Sequence, residues 1–98
     1  MELIRKYLIE EKKMPAVVAE RTISKLEQHP DISAELELWI TNRTYESNSP
    51  VSVEGFTAAD IVKLAPFMDG VGIFTFLVSL REQPDKAKAQ IAAGFPRK

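Results

Sequence analysis

Residues 70–80, Gly70-Val71-Gly72-Ile73-Phe74-Thr75-Phe76-Leu77-Val78-Ser79-Leu80, run for eleven positions without a charge, and the architecture is read from them first. As a helix this run rises only about 16 Å, against roughly 30 Å of bilayer hydrocarbon, so a membrane span is not expected. Val71, Ile73, Phe74, Phe76, Leu77, Val78 and Leu80 make it apolar on nearly every helical face, the pattern of an element surrounded by others. Its β-branched residues also suit a strand. The run continues into Arg81 and Glu82, however, and the chain supplies no sheet to receive it, so the expectation is a central helix over about 70–82. Burying each of those seven side chains contributes roughly 1.5 to 3 kcal/mol before conformational entropy is subtracted.

Short helices are expected on both sides of this run. Leu3, Ile4, Tyr7 and Leu8 line one face of a first helix over 2–13, and Ala16, Ala19, Ile23 and Leu26 continue a three-four spacing in a second, with Pro15 suited to its first turn. His29-Pro30-Asp31 stops and restarts the chain. Pro30 falls near the first helical position, Asp31 faces the positive end of the dipole, and Ile32, Leu36, Trp39 and Ile40 point inward up to about Arg43 while Glu35 and Glu37 turn toward water. The polar segment 44–50 is the principal loop, and Val51-Ser52-Val53 after it alternates as a short extended piece. Gly55 permits a bend. Thr57 and Asp60 then form a capping box preceded by Phe56, which starts a helix from Ala58 to about Leu64, and Pro66 disfavours its continuation. Gln83-Pro84-Asp85 restarts the chain once more, and Gly94 ends the last helix as a left-handed cap onto which Phe95 can fold back. The fold class that follows is all-α: a compact bundle of five to six short helices around the central helix, with one extended segment near 51–53, in a single domain over 1–98.

Composition narrows the range of functions. Apolar residues make up 45% and charged residues 28%, the balance of a globular domain able to hold itself together with one core. Cysteine is absent, which removes disulfides, thiolate nucleophiles and cysteine metal sites and suits a reducing compartment. Charges interrupt the first thirteen residues, so a secretory signal is not expected and the chain reads as cytoplasmic. Asn42-Arg43-Thr44 matches a glycosylation acceptor only by accident on that reading. A net charge of −1 provides no global field to draw nucleic acid or anionic lipid, and the basic end at Arg97 and Lys98 is short.

Chemistry-bearing patterns are sparse. The single histidine, His29, stands at a helix corner with Ser24 and Asp31, where a triad aimed at a common substrate is hard to assemble. Asp31 and Glu35 form one carboxylate pair at helical spacing, which alone does not hold a metal. Gly70-Val71-Gly72 begins like a dinucleotide fingerprint, but Thr75 takes the third glycine's place and no strand precedes it. No catalytic residue, cofactor or metal is therefore assigned, and the chain is not expected to be an enzyme.

Trp39, Tyr45 and Phe56 flank the long loop and, if exposed, are the candidate partner contacts, Tyr45 being the one expected to be accessible. The leading functional expectation is a small protein-binding or scaffold module, acting on another protein or on its own kind. The alternative is a DNA-binding regulator with a helix-turn-helix-like segment at 57–82. Nucleic acid is disfavoured because a recognition helix needs polar and basic side chains, which 70–80 lacks.

Overall fold

The computed structural model describes residues 1–45 and 51–94. Among them lie six α-helices: α1 (Glu2–Lys6), α2 (Ala16–Glu27), α3 (Pro30–Asn42), α4 (Ala58–Leu64), α5 (Gly70–Glu82) and α6 (Pro84–Ala92). The apolar run becomes the centre. Ile73, Leu77, Val78 and Leu80 have no exposed surface, and α5 packs against α2, α3, α4 and α6. Helix–helix contact on that many sides explains why an element with no polar face is stable in water.

Local signals set most of the boundaries. Thr57 accepts from the Asp60 N–H while the Asp60 carboxylate accepts from the Thr57 N–H, the full reciprocal box, and α4 stops before Ala65 and Pro66. Pro30 and Pro84 open α3 and α6, where a missing N–H has no helical partner to lose. Pro15 stands just before α2 rather than in its first turn. Val51 and Val53 are buried and Ser52 is exposed, and Val53 exchanges 2.9 Å hydrogen bonds with Phe56. Glu54 and Gly55 between them are both left-handed, as a tight two-residue turn requires. Gly94 has the expected positive φ; segment 46–50, the Phe95 fold-back and the Arg97–Lys98 end lie outside the described residues.

Three expectations need correction. The first helix does not run as α-helix to Lys13: α1 passes into a π-helical turn, Tyr7–Glu11, where the Lys12 N–H reaches back to the Tyr7 carbonyl, and Lys13 turns left-handed. Periodicity missed this because the buried positions, Ile4, Tyr7 and Leu8, end in the first two residues of the π-turn, and Ile9 to Lys13 after them are exposed and give no apolar spacing to read. Leu3 and Ala16 are exposed, so the inward stripes are narrower than expected. Glu35 and Glu37 are half-buried rather than turned fully to water. One buried hydroxyl also escaped the sequence reading. Ser33 Oγ lies 2.5 Å from the Leu26 carbonyl and 3.2 Å from that of His29, satisfying the end of α2 at the tight corner into α3.

Candidate functional site

Two of the three aromatic candidates meet in one pillar. Trp39 is 9% exposed; the Tyr45 ring stacks on it at 5.9 Å and reaches Phe74 of α5 at 6.3 Å, while Tyr7 meets its edge at 5.7 Å. Tyr45 is therefore half-buried against the core, not free in the loop, and burial pushes its phenol up to about 12. Phe56 stands apart from the pair, half-buried and bridged to Val53. Stacking outweighs the polarity of the neighbouring loop, because a tyrosine ring gains from packing on an indole whatever its own hydroxyl needs.

Arg43 completes that corner. Left-handed at the end of α3, it donates from Nε to the Ile40 carbonyl, pairs with Glu11 of the π-turn at 2.7 Å, and lies 5.1 Å from the centroids of both Tyr7 and Trp39. Asp69 joins the π-turn to α5 from the other side. One carboxylate oxygen caps the helix through the Gly72 N–H at 2.9 Å, and the other lies 2.5 Å from Lys12 Nζ. Burial alone would raise the Asp69 carboxyl, but the Lys12 ammonium, the Gly72 N–H and the Tyr7 hydroxyl together hold it below the ordinary value. Gly72 is thus occupied in a cap, and Gly70 lies against Trp39, so each glycine of the G-x-G has a structural role.

The groups suggested for catalysis are likewise engaged in a second corner. His29 Nε2 lies 2.9 Å from the Glu82 carboxylate, and Arg81 holds Asp31 through two 2.9 Å bonds, which keeps that carboxyl at about 2. These pairs tie the α2–α3 turn to the end of α5. Among the described residues no three His, Asp or Glu side chains are grouped to hold a metal ion.

A shallow trough of about 780 Å3 lies open along the outer face of α2. Its lining includes Ala16, Val17, Arg21, Lys25, Gln28 and, from the end of α5, Glu82. Val17 is 65% exposed, the highest value among the large hydrophobic residues described. Two smaller hollows of about 300 and 290 Å3 adjoin it: Lys25 lines both, with Ser79 and Lys86 in one and Thr75 in the other. Glu20 on its rim is bound to Arg5 at 2.8 Å. Arg21, Lys25 and Lys86 are exposed and have no ion-pair partner among the described residues.

The sequence reading passed over this face, although a signal was present. Val17 and Val18 fall outside the Ala19, Ile23, Leu26 stripe, so they could not be core on the same helix, and Arg21 and Lys25 follow Val17 at successive four-residue steps. No family model, curated protein or solved structure matches this chain, and the site stands on its own geometry.

Proposed function

We propose that this chain is a protein-binding module of the cytoplasm whose docking surface is the trough along α2. The observation that carries the reading is Val17, a large apolar side chain left mostly in water in a concave surface beside two exposed cations that have no ion-pair partner among the described residues. An apolar centre with a charged rim is the layout of a protein interface. Lack of cysteine supports a reducing compartment, and none of the described helices is long and apolar enough to cross a membrane. A binding role rather than catalysis is favoured by the ionisable groups that do meet, His29 with Glu82 and Asp31 with Arg81, since each joins two elements of the fold. The alternative DNA reading draws no support from 57–82, where α5 turns Ile73, Leu77 and Leu80 into the core instead of offering a polar face.

The test is site-specific photocrosslinking in cells that make the protein. A crosslinker at Val17 is expected to yield a discrete adduct with another protein, and one at Leu64, on α4, is expected to yield none. Adducts from Leu64 with none from Val17 would overturn the choice of surface.

A further inference from the structure

The trough and its two neighbours adjoin at Lys25 of α2, which lines all three: the trough follows the outer face of α2, one neighbour reaches Thr75 of α5, and the other reaches Ser79 of α5 and Lys86 of α6. The part of α5 between them presents small residues, Thr75 and Ser79, both half-buried, and the Thr75 hydroxyl donates to the Val71 carbonyl of its own helix at 2.7 Å. A floor of small side chains, one with its hydroxyl already bonded, admits a close-packed element without leaving that group unpaired.

The charges of the cleft are not balanced. Both acids of the lining are engaged, Glu20 with Arg5 and Glu82 with His29, whereas Arg21, Lys25 and Lys86 have no ion-pair partner among the described residues. Three cations thus face two carboxylates that are each bonded to a group outside the lining, an excess of positive charge on a chain that as a whole carries −1. Val17 at one edge supplies an apolar anchor.

Resting on the binding reading above, we propose that this cleft receives an acidic amphipathic helix of a protein partner. The partner's apolar edge covers Val17 and its carboxylates meet Arg21, Lys25 and Lys86. A helix fits better than an extended peptide, because strand addition needs an open sheet edge and the described extended structure is one bridge between Val53 and Phe56. A helix satisfies its own backbone and asks only for complementary side chains. The outer face of α2 measures about 18 Å, the length of roughly twelve helical residues.

The experiment uses the full chain and a synthetic helical peptide of about fourteen residues, with leucines at i, i+3, i+4 and i+7 and glutamates on both flanks. Two control peptides replace every glutamate by glutamine or by lysine, and amide shift mapping accompanies fluorescence anisotropy. The acidic peptide is expected to bind with shifts at Val17, Arg21, Lys25, Thr75 and Lys86, to weaken as salt rises, and to lose about tenfold or more in affinity in R21E/K25E. Both positions are exposed, so that variant is expected to melt with the parent. If the glutamine or lysine peptide binds the cleft as tightly, or R21E/K25E leaves affinity unchanged, the acidic partner is refuted while the docking surface stands. If no peptide shifts the cleft, both readings fall. A DNA duplex that shifts these residues at lower concentration than the peptide, or a dimer in sedimentation that V17D disrupts, would replace the partner helix by nucleic acid or by a second copy.

Discussion

The α-carbon of Gly70 lies against the six-membered ring of Trp39, so that a β-carbon there would overlap the ring atoms Cε3, Cδ2 and Cζ3. This contact seats the start of the central helix on the last turns of α3. Gly70→Ala is expected to cost about 1 to 3 kcal/mol despite alanine's better helix propensity, because a rigid buried indole has little room to retreat. Urea unfolding measures it. In the W39F background the same change should cost less, and equal costs in the two backgrounds would mean that the ring is not the obstacle.

Asp69 caps α5 with one oxygen and meets Lys12 and, at 3.4 Å, the Tyr7 hydroxyl with the other, and substitution separates the two sides. Asp69→Asn keeps an acceptor for the Gly72 N–H and is expected to lose about 0.5 to 1 kcal/mol of the Lys12 pair, which is about one-third exposed on each side. Asp69→Ala removes the cap as well and should lose about 1 kcal/mol more. A K12M/D69N cycle showing no coupling would assign the whole effect to the cap.

The Asp31–Arg81 pair makes stability depend on acid. Arg81 holds the Asp31 carboxyl at about 2 in the folded chain, below its ordinary 3.8, so the folded state favours the charged form. That contribution is complete above the unfolded value and is lost as pH falls from about 4 toward 2. Because the Asp31 side chain is half exposed, its worth at neutral pH is under about 1 kcal/mol. Thermal melts of the parent and D31N should differ at pH 7 and converge near pH 2, and a constant offset would exclude Asp31 as the titrating group.

Tyrosine ionisation reports the aromatic pillar. The chain has two tyrosines, and burial raises both, Tyr45 to about 12 and Tyr7 in the same direction with help from Asp69. The neutral phenols are favoured by folding, so this stability is intact below pH 10 and is lost as pH climbs from 10 toward 12. The near-ultraviolet phenolate band of the native protein should stay small at pH 10 and appear on adding denaturant. A full band at pH 10 without denaturant would place Tyr45 in water, off Trp39.

Several helix starts and stops were legible because they rest on bonds between near neighbours, Thr57 with Asp60, the rings of Pro30 and Pro84, the left-handed Gly94, whereas the passage of α1 into a π-turn was not. The buried position of α5 was legible for a different reason, since a run with no polar face has nowhere else to go. The sites were harder to read. Tyr45 looked accessible from its polar neighbours, but it stacks on Trp39 and also meets Phe74, twenty-nine residues away. Arg43 follows Asn42 as an ordinary helix end until Tyr7 and Glu11 are brought beneath it.

The sequence by itself determined that this chain makes short helices, where they begin, and which one the others must cover, because propensity, capping and amphipathic period act within a few residues. Tertiary structure alone decided which charges find partners. Glu20 is bound to Arg5 and Glu82 to His29 fifty-three residues away, while Arg21 and Lys25 on the same face have no ion-pair partner among the described residues. Pairing depends on distances through space that the order of residues does not encode locally, and it leaves an excess of cations around Lys25 on a nearly neutral protein.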